Sequence, residues 1–166
     1  MSDWLIAKGK EETLRLAYEC IVKESCNWIL QLRREDSQSS YMHKRYKNES
    51  GNDIIKFVLF KESSTSTLFV ELTKDRINVF AHKGTDPIQS TIEICSFGYY
   101  GGYILPHIQY ENVVNLYNEI EDRYEVEKAS TDDSDFFSDL QIYELWKRLD
   151  DIFQSDEWIS NFDEAK

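Results

Sequence analysis

The order of apolar and polar positions divides the chain into a helical start, a central run of strands and a helical end. From Lys10 to Arg34, Leu14, Tyr18, Ile21, Ser25, Trp28/Ile29 and Leu32 recur at steps of three and four, which places them on one helical face. Ser25 is the only polar member of that stripe. Gly9 with the Glu11/Glu12 pair suits the start of this helix and Arg33/Arg34 its end, each charge complementing the helix dipole. The pattern leaves open whether Trp4 to Ile6 join the helix or cross the core separately.

Residues 36–53, DSQSSYMHKRYKNESGND, carry little that is apolar beyond Tyr41, Met42 and Tyr46, and read as a long polar connection ending in turn residues. The period then switches to two. Residues 54–62, 67–74, 76–83 and 88–96 are rich in β-branched and aromatic side chains and are separated by short breaks. Leu68, Val70 and Leu72 share one face, as do Ile77, Val79 and Ala81, and Ile88, Ile92 and Ile94. One covered and one more polar face is the pattern of an antiparallel meander. The 54–62 run is apolar on both faces and belongs near the middle of the sheet or under the first helix.

After Pro106 the helical period returns in Tyr110, Val113, Tyr117, Ile120 and Tyr124, and 130–135 breaks it. A last helix over about 134–154 carries two apolar sides, Phe136, Phe137, Leu140 and Tyr143 opposite Ile142, Leu145, Trp146, Leu149, Ile152 and Phe153. Ser155 caps a final turn that would return Trp158 and Phe162 to the body. The expected fold is one α+β domain over residues 1–166: an N-terminal helix, four to five antiparallel strands and two C-terminal helices.

Residues 95–110, CSFGYYGGYILPHIQY, concentrate glycine and tyrosine. The spacing fits neither the Walker pattern nor the dinucleotide fingerprint. The helix expected next carries Glu111, Glu119, Glu121 and Asp122 before its first basic residue, Arg123, so a phosphate there would meet repulsion. The glycines instead suit a bulge or a tight reversal between two short strands, with Tyr99, Tyr100 and Tyr103 flanking it. Tyrosine at such a border packs in the core or serves as a contact residue.

Charge sharpens this picture. The net charge is −12, yet residues 1–106 hold 14 basic and 14 acidic side chains, and residues 107–166 hold 5 and 17. All the excess is in the last third. A nucleic-acid partner needs a basic stripe, and only His43 to Lys47 offers one, so direct nucleic-acid binding is not expected and a basic protein partner is. No apolar run is long enough to span a membrane, and the first residues lack the pattern of a secretion signal, so a cytoplasmic location is expected.

Catalytic and metal chemistry find little support. Cys20, Cys26 and Cys95 lack metal-ligand spacing and are odd in number, which reads as three reduced thiols. His107 and Glu111 share a helix face without a recognisable third ligand. No nucleophile motif is present, so neither an enzyme nor a cofactor is expected.

What remains is the acidic run at 118–140, opposed only by Arg123 and Lys128 and interrupted by Phe136 and Phe137. Acidic side chains around aromatic anchors suit the capture of a basic protein, charge setting the encounter rate and buried rings the lifetime. The candidate contacts are Glu119, Glu121, Asp122, Glu125, Asp132, Asp133, Asp135 and Asp139, with Phe136, Phe137 and Tyr100 as anchors. No motif places the chain in a known family. In size, acidity and lack of catalytic signatures it resembles bacterial immunity proteins, and that resemblance implies neutralisation of a cognate basic toxin, often a nuclease. A secretion chaperone and a phage-encoded nucleic-acid mimic share the same charge.

Overall fold

A computed structural model describes residues 3–35, 39–61, 64–82, 91–101, 103–106 and 139–154. Within them the chain forms helix α1 (Asp3–Glu35) and strands β1 (Ser40–Lys47), β2 (Asp53–Lys61), β3 (Ser64–Leu72), β4 (Arg76–His82), β5 (Thr91–Tyr100) and β6 (Tyr103–Pro106). Helix α2 (Asp139–Ile152) completes them. The strands lie in chain order in one antiparallel sheet. The architecture is therefore α+β, with six strands rather than four or five. The helix expected after Pro106, His107 and Glu111, and the turn holding Trp158 and Phe162, fall outside the described residues.

Helix α1 runs through Gly9, which is not helical: at φ 78° and ψ 177° it breaks the rod into a short N-terminal piece and the long stretch from Lys10. Only glycine adopts that backbone without steric cost. The long stretch lies across all six strands. Its predicted stripe is the buried one: Leu14, Tyr18, Ile21, Ser25, Trp28, Ile29 and Leu32 all lie in the interior. The facing side of the sheet supplies Ile55, Phe57, Leu59, Leu68, Val70, Ile77, Val79, Phe97 and Ile104. Helix α2 adds Ile142, Leu145 and Leu149, with Trp146, Ile152 and Phe153 partly buried beside them. Arg148 fixes α2 to α1, its Nε donating to Glu24 Oε1 at 2.6 Å and a terminal nitrogen to Gln31 Oε1 at 3.0 Å.

The largest departure from the sequence reading is β1, a strand where a polar connection was expected. It is an edge strand, paired with β2 from Ser40↔Phe60 to Lys47↔Asp53, and nearly every side chain on it is exposed on both faces. Backbone pairing holds it, so no apolar alternation is needed to specify it. The true turn is only Asn48–Asn52. The Asn48 side-chain carbonyl accepts the backbone N–H groups of Ser50 and Asn52 at 3.0 Å each, and Gly51 supplies a φ of 80°.

A second departure lies in β5. The ladder to β4 slips between Val79 and Phe80, pairing Val79 with Cys95 and Phe80 with Glu93. This bulge lets neighbouring Ile94 and Cys95 both enter the core, and Phe97 continues the inward set instead of Ser96. A strict period of two carried through from Ile92 and Ile94 therefore fails past the bulge.

Ser25 sits in the α1–sheet interface fully buried, and its hydroxyl has no hydrogen-bond partner among the described residues. An unmatched buried hydroxyl costs about 1–3 kcal/mol, and alanine is the better helix former. Ser25→Ala is expected to raise stability by about 1 kcal/mol, read as a higher urea midpoint at unchanged slope; a lower midpoint would mean that the hydroxyl is satisfied in solution.

Candidate functional site

Helix α1 takes one face of the sheet, and the other face is the candidate site. Register fixes which residues share it. Met42 stands opposite Val58, Tyr46 opposite Ile54, Lys44 opposite Lys56, Phe69 opposite Phe80, and Tyr100 opposite Tyr103. Six large hydrophobic side chains are exposed among the described residues: Met42, Tyr46, Phe60, Tyr100, Tyr103 and Leu105. All six belong to this face. They gather at its two margins, Met42, Tyr46 and Phe60 on β1 and β2, and Tyr100, Tyr103 and Leu105 on β5 and β6.

Between the margins runs a row set by the ladders, Lys44, Lys56, Phe69, Phe80 and Glu93, one from each of β1 to β5. The two phenylalanine rings stack at 5.1 Å, and the Lys56 ammonium lies 5.9 Å from the centre of the Phe69 ring. Beside them the Glu71 carboxylate accepts hydrogen bonds from the side-chain amides of Asn48 at 2.7 Å, Asn78 at 2.9 Å and Asn52 at 3.2 Å. Three donors on one carboxylate tie the β1–β2 turn to β3 and β4.

The glycine- and tyrosine-rich stretch is a hairpin on this face. Tyr100 and Tyr103 flank the turn, and Gly101 has a φ of 60°. Gly98 has a separate purpose. A Cβ there would approach the Tyr100 ring to 3.1–3.3 Å, so the missing side chain lets that ring lie back along the strand. Tyr100 remains 47 % exposed.

Of the other sequence-derived contacts, Glu119, Glu121, Asp122, Glu125, Asp132, Asp133, Asp135, Phe136 and Phe137 lie outside the described residues, and Asp139 is the first residue of α2. The sequence reading missed Met42, Tyr46, Phe60 and Leu105, and it named Tyr103 as a core or contact residue beside the turn without placing it among the anchors. A signal for Tyr46 and Met42 was present, as the apolar members of a polar segment, but it could not be used without knowing that the segment is a strand.

No family model, curated protein or solved structure matches the chain.

A second cluster lies on the helix side, where α1 meets β1 and β2. A cavity of about 280 Å³ is lined by Arg15, Tyr18, Arg45, Lys47 and Asp53 among others. Its charges are paired: Asp53 accepts from Arg15 and from Lys47 at 2.9 Å each, and Arg45 makes a two-pronged pair with Glu19 at 3.1 Å. Burial pushes the Tyr18 hydroxyl up to about 12, so it stays a neutral donor. These pairs clamp the helix to the exposed edge of the sheet. Next to them, Tyr41 hydrogen-bonds His43 and lies 3.4 Å from Cys26 Sγ, a further tie between β1 and α1. Burial raises the Cys20 thiol to about 11 and raises Cys95 as well, which keeps both thiols protonated and weakly nucleophilic.

The hydrogen bonds from Lys47 and then Arg15 hold the Asp53 carboxyl below its ordinary value. A carboxylate depressed in the folded state adds stability above its unfolded value of about 4 and loses it as pH falls through the folded value. The pairs are solvent-exposed, so the effect is below about 1 kcal/mol. The urea midpoint of the wild type should fall more than that of Asp53→Asn between pH 5 and pH 2; parallel curves would mean that the clamp contributes nothing.

Proposed function

We propose that this chain is a protein-binding inhibitor of the immunity-protein kind, acting in the bacterial cytoplasm on a basic partner, which the resemblance suggests is a toxin domain. The observation that carries the reading is the gathering on one sheet face of the six large hydrophobic side chains exposed among the described residues. Aromatic residues set among polar ones are the composition of protein-recognition surfaces. The net charge of −12 supports a basic partner, since complementary charge accelerates encounter.

The two features divide the labour. The hydrophobic margins, Tyr100 among them, supply buried contact area, and the acidic side chains from Glu119 to Asp139 steer the approach. Affinity capture from the source organism at low salt is expected to recover one basic protein whose association slows as salt rises. Expressed alone that protein should arrest growth, and co-expression of this chain should restore it. Changing Asp132, Asp133, Asp135 and Asp139 together to Asn should lower the association rate about tenfold or more at low salt, with a smaller effect on dissociation. An unchanged rate would remove the steering role, and a captured partner that is harmless to the cell would remove the inhibitor reading.

A further inference from the structure

Lys44 and Lys56 stand directly opposite each other on neighbouring strands of the open face. Directly opposed side chains have Cβ atoms about 5 Å apart, and like charges there repel. The next two cations on β1 are paired: Arg45 with Glu19, and Lys47 with Asp53. Neither Lys44 nor Lys56 forms an ion pair with a described carboxylate, and the nearby Glu71 is taken by three asparagine amides. The two lysines border a groove of about 200 Å³ whose other walls include Met42, Val58, Phe60 and Thr65. Val58 is buried in its floor, while Met42 and Phe60 are 46 % and 36 % exposed. The groove thus offers two cations with no counter-ion among the described residues, beside apolar surface that still meets water.

We propose that this groove is the docking point for an acidic segment of the protein partner, one that presents a carboxylate next to an apolar side chain. The carboxylate sits between the Lys44 and Lys56 ammonium groups and relieves their repulsion. The apolar side chain covers Met42, Val58 and Phe60. Charge complementarity selects this occupant: a basic segment would add a third cation to the pair, and a purely apolar one would strip water from two ammonium groups and return nothing. The inference rests on the protein-binding reading and deepens it. It gives a basic partner a local acidic patch, so that contact on this face has a fixed register instead of a merely attractive field.

The test uses two labelled octapeptides, one alternating Glu with Leu and one alternating Gln with Leu, titrated into the full ¹⁵N-labelled chain. The Glu peptide is expected to bind, with the largest amide shifts at Met42, Lys44, Lys56 and Thr65, and the Gln peptide at least about tenfold more weakly. The double variant Lys44→Gln with Lys56→Gln should bind the two peptides alike. Its thermal midpoint should equal or exceed that of the wild type, because a repulsive pair has been removed. Equal binding of both peptides by the wild type, shifts centred elsewhere, or no binding at millimolar peptide would overturn the proposal. So would tighter binding at the same amides of a single-stranded oligonucleotide or of vesicles containing phosphatidylserine. With the partner in hand the two readings separate: a double variant that holds it as tightly as the wild type refutes the groove and leaves the inhibitor function standing. Conversely, Glu-peptide binding at the groove without any captured inhibitor target refutes the function and leaves the groove.

Discussion

Replacing Tyr100, Tyr103 and Leu105 together with serine is expected to weaken partner binding about a hundredfold or more while leaving the fold in place. Two tyrosines and a leucine at one margin, each more than 40 % exposed, are the densest group of anchors on the open face. Removing a central aromatic contact commonly costs about 2 kcal/mol or more, and every 1.4 kcal/mol is a factor of ten in affinity. The loss should fall mainly on the dissociation rate, because these residues are uncharged and contribute contact area instead of long-range attraction. Surface changes of this kind alter stability by about 0.5 kcal/mol each, so the thermal midpoint should move by only a few degrees. Surface plasmon resonance would give both rates. Wild-type dissociation from the triple variant would show that the partner does not use this margin.

A stability loss of about 3–5 kcal/mol is expected for Phe97→Ala, a large share of the 5–15 kcal/mol typical of a folded domain. Phe97 is fully buried where three elements meet. It pairs with Ile77 on β4 and with Pro106 on β6, and its ring packs at 5.0 Å, tilted by 56°, against Phe153 just beyond α2. The cavity left behind is bounded by paired backbone on both sides, which resists collapse. In a chain of this size the midpoint of thermal unfolding should fall by about 10 °C. Phe97→Leu should lose less than half as much, since most of the volume is restored. Equal losses for the two variants would point to the aromatic contact with Phe153 instead of cavity size.

How far the sequence revealed this arrangement depends on how many faces of each element are covered. The α1 stripe from Leu14 to Leu32 was legible because one side packs on the sheet and the other meets water, the condition under which period 3.6 shows. Strands β3 and β4 were legible for the same reason at period two. Strand β1 was not: of its eight side chains only Tyr41 is partly covered, so the segment has the composition of a loop although its backbone is fully engaged. The bulge after Val79 was hidden too, because a one-residue slip changes the inward set without leaving a turn residue as a marker. For the site, Tyr100 could be singled out because glycines crowd around it. Tyr103 could be placed beside the same turn, but that it and Leu105 share the face of Tyr100 follows only from the β5–β6 register. The Lys44–Lys56 opposition is a property of register, and no reading of single segments exposes it.

The strand order has a consequence for how the molecule assembles. Because β1 to β6 lie side by side in the sequence in which they are synthesised, each new strand needs only a short loop to close before it meets its neighbour, and no connection must cross the sheet. The contact between Arg148 and Glu24 is different in kind, spanning 124 residues. A nascent chain can therefore stack its hairpins under α1 as they emerge, whereas the interior around Phe97 stays open until α2 and Phe153 arrive to close it.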